Sequence, residues 1–350
     1  MPKHNILGEG TYGCVIKPSL KCKTRKNYKN RLAKIMRGDD AEKELLDMEM
    51  LSRIKGIEKY IVRVPLICDP KDDVVFQDNL NKCQNERIKQ VPVKDLKLLL
   101  VDDGGVDLDH FYQHMIPYIS KKDLCIFLKS IVITIESLYF LRKKGIIHHD
   151  IKSGNIVYNI RTGKMKLIDF GLVMYRRDFL ERSRKSINTL ARSWSYFPKE
   201  TSCLNYEKFK KCADYNKMDY DTFLNTAANT FDGYCFGSCM KRLFTKMYHD
   251  KKINLNINKR FFAEAYHLMS QICTKDLMLR EQNYLFVKQR YRDLLKKYGL
   301  YSSNAIPSPT VHVRSISDKF SVVNIMVKKD KAMRDRYQTN SSTRKRKNEQ

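Results

Sequence analysis

The sequence predicts an α+β chain: a small strand-rich lobe, then a larger helical lobe, with a cleft between them. Three observations carry this. The first hundred residues hold a glycine cluster and short strand-like apolar runs. From Ser120 onward the apolar residues fall at helical spacing. Between the two lies Asp102-Asp103-Gly104-Gly105, a turn or hinge. With 350 residues and 42% hydrophobic content, the chain can bury a core for one large domain or two lobes.

The elements follow in order. Residues 5–35 read as a glycine loop, a basic turn and a strand ending in Leu32-Ala33-Lys34-Ile35-Met36. Asp39 and Asp40 are placed to cap a helix over roughly 41–55, with Leu45, Met48, Leu51 and Ile54 near the 3.6-residue period. Val74-Val75-Phe76 and Lys97–Val101 read as two further strands. Ser120–Lys143 is a long amphipathic helix stopped at Gly145. Ile156–Tyr158 and Met165–Ile168 are short strands, and 281–300 is a last amphipathic helix carrying Leu285, Leu294 and Leu295. This divides the chain into 1–101, 102–306 and a tail, 307–350. Residues 311–350 hold eleven Lys/Arg against four Asp/Glu and end in Arg344-Lys345-Arg346-Lys347, so a flexible basic tail is expected.

The formal net charge of +28 fits either a lysine-rich solubilising surface or a polyanionic partner, nucleic acid or acidic protein. The basic tail fits nucleic-acid binding or nuclear import, and equally a solvated terminus. Ten cysteines lack a repeated spacing, which favours reduced thiols in a cytosol-like compartment; Cys235 and Cys239 fit a helix core better than a metal site. No apolar run approaches the ~20 residues of a membrane span, because Lys129, Thr134, Glu136 and Ser137 break Ile126–Leu141. Met1-Pro2-Lys3-His4 leads straight into the glycine motif, with no room expected for a signal peptide.

Two stretches carry chemistry. Leu7-Gly8-Glu9-Gly10-Thr11-Tyr12-Gly13-Cys14-Val15 contains G-x-G-x-x-G-x-V, whose glycines let backbone N–H groups approach phosphate oxygens. A dinucleotide-binding turn needs a helix directly afterwards, whereas Pro18 and a basic turn follow here. Ile147-His148-His149-Asp150-Ile151-Lys152-Ser153-Gly154-Asn155 places an Asp able to take a hydroxyl proton, a Lys able to neutralise a phosphoryl group and an Asn able to hold Mg²⁺. Fourteen residues on comes Asp169-Phe170-Gly171, a second metal-seeking carboxylate.

From about residue 5 to 300 the chain resembles the eukaryotic-type protein kinase superfamily. The resemblance implies a bilobal fold with ATP and Mg²⁺ in the cleft. Leu7, Gly8, Glu9, Gly10, Thr11, Tyr12, Gly13, Cys14 and Val15 would enclose the nucleotide, Val15 against adenine. Lys34 would pair the α- and β-phosphates, with Leu32 where the family's V-A-x-K pattern has Ala. Glu44, on the buried helix face, would pair with Lys34; Asp47 is shorter and Glu49 points away. Asp150 would orient and deprotonate the acceptor hydroxyl, Lys152 would sit by the γ-phosphate, and Asn155 and Asp169 would hold the metal. Small-molecule phosphotransferases share H-x-D-x-x-x-x-N but commonly lack the lysine, so Lys152 favours a serine/threonine protein kinase.

Downstream, Tyr196-Phe197-Pro198-Lys199-Glu200 resembles the close of an activation segment. Asp232-Gly233-Tyr234-Cys235-Phe236-Gly237 resembles the D-x-W-x-x-G helix start, whose Asp would bond the catalytic-loop backbone. Arg280 would pair with Glu200. The Gly104-Gly105-x-x-Leu108 hinge, the short lysine-to-helix spacing and the Lys/Asn/Ile-rich composition resemble kinases of large cytoplasmic DNA viruses such as asfarviruses and iridoviruses. That implies a host-cytoplasmic or virion protein.

Two departures stand out. His149 replaces the arginine that meets an activation-loop phosphate, implying activity without that phosphate unless a protonated histidine substitutes. Asp232 follows Glu200 by 32 positions, which implies an insertion near the substrate surface. Arg176, Arg177, Arg182, Arg184, Lys185 and Arg192, against Asp178 and Glu181, suggest either acidic substrates or charge pairing within the segment. The competing classes are a pseudokinase scaffold, which would normally lose Lys34, Asp150 or Asp169, and a nucleic-acid-binding virion protein on a kinase fold.

Overall fold

The structure, a computed structural model, describes residues 4–10, 12–24, 27–187 and 194–301. Thr11, Arg192 and the basic tail lie outside these. The strands of the first lobe are β1 (Asn5–Gly10), β2 (Gly13–Lys17), β3 (Arg31–Arg37), β4 (Leu66–Cys68) and β5 (Leu96–Asp102). Helix α1 (Gly38–Ser52) lies between β3 and β4, and helices α2 (Val74–Lys82) and α3 (Glu86–Lys89) lie between β4 and β5. The sheet order is β1-β2-β3-β5-β4 and every pairing is antiparallel.

Strand alternation sets up both faces of this sheet. On one face Ala33 and Ile35 of β3 and Leu96, Leu98 and Leu100 of β5 pack with Phe76, Leu80 and Ile88 of α2 and α3. On the other, Met36 and Leu99 pack with Ala41 of α1, which turns Lys34 toward the α1 side. The segment between β4 and β5 therefore covers an otherwise exposed apolar sheet face. The strand expected at Val74-Val75-Phe76 is instead the start of α2. Asp73 caps it by accepting from the Phe76 N–H at 3.0 Å, and Phe76 and Leu80 repeat at helical, not strand, spacing. Asp39 and Asp40 occupy the first turn of α1 rather than its cap; there they complement the N-terminal end of the helix dipole.

Three cysteine pairs are disulfide-bonded: Cys14–Cys83, Cys22–Cys68 and Cys203–Cys212. This overturns the expectation of reduced thiols. The first pair lies 69 residues apart and meets only because α2 and α3 fold over the sheet, so spacing along the chain gave no sign of it. Cys235 and Cys239 are free and helical, as expected of core residues.

The chain crosses to the second lobe through β6 (Val106–Asp107) and α4 (Leu108–His110). Gly105 makes the crossing with φ +104°, where a Cβ would strike the Tyr158 carbonyl. Helix α5 (Lys121–Lys143) follows, capped by Ser120 accepting from the Asp123 N–H at 3.1 Å. Among the described residues, α5 alone could cross a membrane by length and hydropathy. Here 67% of its apolar window is buried in the protein, and the Tyr291 hydroxyl donates to its Leu128 carbonyl at 3.1 Å.

The strands β7 (Ile146–Ile147), β8 (Ile156–Asn159), β9 (Lys164–Leu167) and β10 (Met174–Tyr175) frame the candidate site. β6-β8-β9 form one small sheet and β10-β7 another. Helices α6 (Arg176–Arg184), α7 (Tyr206–Phe209), α8 (Tyr220–His249), α9 (Lys251–Asn254), α10 (Lys259–Ile272) and α11 (Tyr284–Lys297) complete the lobe. The sequence places Asp232 at the start of its helix, and the structure corrects this. Asp219 caps α8, accepting from the Thr222 N–H at 2.8 Å, so Asp232 sits in mid-helix.

Glu200 and Arg280 form a fully buried ion pair, Arg280 Nη2 to Glu200 Oε2 at 2.9 Å. The guanidinium also donates to the Thr274 carbonyl at 2.9 Å and lies 4.5 Å from the Tyr234 ring centroid. Removing one partner leaves the other charge buried. Arg280→Ala is expected to lower unfolding free energy by about 3–5 kcal/mol in a urea titration; a loss below about 1 kcal/mol would mean that the pair does not anchor this segment.

Candidate active site

The loop from Ile147 to Asn155 is pinned by α8. The Asp232 carboxylate accepts from the backbone N–H of His148 at 2.7 Å and of His149 at 3.0 Å. This holds His149 at φ +66°, a left-handed conformation uncommon for a side chain of its size. The chain then reverses and presents Asp150, buried among polar partners. Lys152 Nζ donates to Asp150 Oδ2 at 2.8 Å and Oδ1 at 3.1 Å. Asn155 Nδ2 donates to Asp150 Oδ2 at 2.7 Å and to its carbonyl at 2.9 Å. With its nitrogen committed, the Asn155 amide oxygen is the atom left to face a cation.

Asp169 stands at φ +62° with its side chain exposed, while Phe170 is buried 4.4 Å from the His148 ring. Across the cleft, Lys34 of β3 pairs with Glu44 of α1 at 2.5 Å, both half-buried. Val15 lies opposite Lys34 in the β2–β3 register, so the two share a sheet face, and Leu32 flanks Lys34 two residues back on the same face. All predicted site residues within the described chain therefore fall into two groups: Leu7 through Val15 with Lys34 and Glu44 on the first lobe, and Asp150, Lys152, Asn155 and Asp169 on the second.

The glycines differ in what constrains them. A Cβ at Gly13 would strike the Ile35 carbonyl of β3, whereas one at Gly8 would meet nothing within 4 Å. Open space at Gly8, an ion-paired lysine on the adjoining sheet face, and two oxygen donors at Asn155 and Asp169 fit a triphosphate with its Mg²⁺.

Several contacts were not legible in the sequence. The loop between α2 and α3 reaches the glycine loop: Asn85 Nδ2 donates to the Gly10 carbonyl at 2.6 Å, and the Gln84 N–H donates to Glu9 Oε1 at 3.0 Å. Arg87 lies 5.0 Å from the Tyr12 ring centroid. The Tyr196 hydroxyl donates to Asp150 Oδ1, and Ser153 donates to Asp109. Burial, then the bond to Asp150, raises the Tyr196 phenol above its ordinary value. Tyr196 sat in a recognised motif, but nothing in that motif signals where the hydroxyl points.

The His149 side chain corrects one expectation. It is fully enclosed, stacked near Phe179 and edge-on to Phe231, with Nδ1–H donating to the Leu172 carbonyl at 3.1 Å. Nε2 has no partner among the described residues. Burial pushes its pKa down to about 4, so the ring is neutral near pH 7 and cannot stand in for a phosphate-binding arginine. Most of the neighbouring basic residues are engaged nearby. Arg176 donates to Asn225 and Asn229, Arg177 pairs with Asp178, Lys185 with Glu181, and Arg184 with Asp221.

Residues 1–215 match the family model described as Protein kinase domain. The chain belongs to the protein kinase family. Among curated kinases it is 29% identical over 201 residues to cyclin-dependent kinase 12 of Drosophila melanogaster, covering 55% of this chain and 15% of that one. It is 51% identical over 45 residues to serine/threonine-protein kinase pim-2 of Danio rerio, covering 13% and 14%. It is 36% identical over 64 residues to probable cell division control protein 7 homolog 2 of Encephalitozoon cuniculi, covering 18% and 17%. The matched stretches thus span less than a fifth of each of these relatives.

Two outcomes are expected. Asn85→Ala removes one hydrogen bond on the glycine loop, about 1 kcal/mol, and should weaken ATP binding roughly fivefold; a Kd unchanged in a nucleotide titration would show that the contact does not shape the loop. For His149, the unfolded ring takes up a proton below about pH 6.5, whereas the folded ring waits until about 4. Stability therefore falls as pH drops between those values, by up to about 3 kcal/mol. His149→Phe should remove that share of the acid loss, read as the difference between the two proteins' stability profiles; superimposable profiles would contradict the burial argument.

Proposed function

We propose that this chain is an active serine/threonine protein kinase, transferring the γ-phosphoryl group of ATP to Ser or Thr hydroxyls of protein substrates. The observation that carries this is the convergence of Lys152 and Asn155 on the Asp150 carboxylate, with Asp169 exposed nearby. A pseudokinase reading has less support, since Lys34, Glu44, Asp150, Asn155 and Asp169 are all present and the Lys34–Glu44 pair is made.

In this reading the acceptor hydroxyl donates to Asp150 Oδ1, in the place where Tyr196 now donates, so Tyr196 must yield to substrate. The acceptor oxygen bonds to the γ-phosphorus as the bond to the β-phosphate oxygen breaks. The hydroxyl proton passes to Asp150, and ADP leaves. Asp150 is already hydrogen-bonded on both oxygens, so its contribution is mainly orientation. Lys152 offsets charge on the transferring group, and Lys34 aligns the α- and β-phosphates. Mg²⁺, held by the Asn155 amide oxygen and Asp169, would supply further charge neutralisation on the phosphates when bound.

The test is transfer from radiolabelled ATP by the wild type and Asp150→Ala. Loss of more than about 10³-fold is expected. Equal signal from the two proteins would remove Asp150 from the chemistry.

A further inference from the structure

A cavity of about 360 Å³ opens beside the catalytic loop, among α4 and the turn after it, Lys152 and Ser153, Tyr196, and the α8 face carrying Cys239, Arg242 and Lys246. It is continuous with the candidate active site, because Lys152 and Tyr196 line it and both bond Asp150. Its charges are unequally satisfied. Lys152 is paired with Asp150. The single acidic lining residue, Asp109, accepts from the Ser153 hydroxyl. Lys246 lies 5.2 Å from the Tyr112 ring centroid. Arg242, exposed at the cavity wall, has no ion pair or hydrogen bond among the described residues. The Cys239 thiol registers the same field: burial and then Asp109 push it up to about 12, while Arg242 and Lys246 pull the other way.

We propose that this cavity is an anion subsite of the acceptor polypeptide, in which Arg242, backed by Lys246, binds an acidic side chain a few residues from the phosphorylated hydroxyl. The proposal rests on the kinase reading above and names its substrate class. A guanidinium with no competing partner, at the edge of a partly enclosed cavity, favours a planar or tetrahedral oxyanion through paired N–H donors. A lysine or arginine side chain entering the same space would meet Arg242 and Lys246 and gain only Asp109, whose carboxylate already accepts from Ser153. The recognised group is therefore a carboxylate of Asp or Glu, or the phosphoryl group of a residue already modified.

The experiment is a positional peptide series with Glu, phosphoserine, Ala or Lys at each flanking position, run with the wild type and Arg242→Glu. The readout is the ratio of kcat/KM for the anionic peptide over the Ala peptide, so that general loss of activity cancels. Wild type should favour an anion about tenfold or more at one position, and Arg242→Glu should reverse that preference toward Lys at the same position. Glu and phosphoserine arms separate the two sources of negative charge. Fluorescence polarisation of the same labelled peptides provides a readout independent of turnover. If no peptide is phosphorylated but Glu peptides still bind wild type and not Arg242→Glu, the kinase reading fails and the subsite stands. If turnover is robust but the two proteins share one preference profile, the subsite fails and the kinase reading stands.

Discussion

The two hydrogen bonds from the His148 and His149 backbone to the Asp232 carboxylate are the constraint on which the rest of the site depends. They tie a loop in an unfavourable left-handed conformation to the middle of a thirty-residue helix whose apolar face is part of the main core. Asp150 is the next residue, so any slack there would be passed directly to its carboxylate. Burial raises the Asp232 carboxyl, while attraction from His148 and the two N–H donors acts in the opposite direction. A carboxyl buried at this point is tolerated because both donors are supplied, and that mutual requirement makes loop and helix one mechanical unit.

The first lobe has a different logic. A five-stranded sheet with α1 on one face would leave Ile16, Ile35, Leu98 and Leu100 open on the other. The segment between β4 and β5 covers them; one disulfide fastens β2 to that segment, and a second fastens the β2–β3 connection to β4. The same cover delivers Gln84 and Asn85 to the glycine loop, so burial of an apolar face and bracing of that loop come from one segment. The thiol argument for a cytosol-like compartment no longer holds, since six of the ten cysteines are paired.

Much of the fold and nearly all of the candidate site residues were legible because their signals are local. Gly8 to Val15, Asp150 to Asn155 and Asp169 are fixed by short spacings, and α5 announced itself through Ser120, its apolar periodicity and Gly145. The Lys34–Glu44 pair was legible because strand alternation and a helical wheel each turn one partner inward. What was not legible depends on long-range closure. Val74 to Phe76 is too short a run to separate strand from helix, and the deciding Asp73 cap is a single residue. The partners in Cys14–Cys83 and Cys22–Cys68, Asn85 on Gly10 and Tyr196 on Asp150 join segments 46 to 75 residues apart with no periodic trace in between.

The neutral state of His149 bears on how the site is held ready. A phosphate-ordered activation segment needs a cation beside the catalytic aspartate. Here that position holds an uncharged ring locked between Phe179 and Phe231, and protonating it would bury a charge with Nε2 unpartnered. Among the described residues, contacts at both ends fasten this segment to the lobe. Arg176 binds Asn225 and Asn229 at the start of the segment, and Glu200 binds Arg280 at its end. Both ends are thus fastened to the lobe core, α8 contributing at the first and Thr230 and Tyr234 of the same helix at the second. The helix that positions Asp150 through Asp232 also anchors the segment whose Tyr196 covers Asp150.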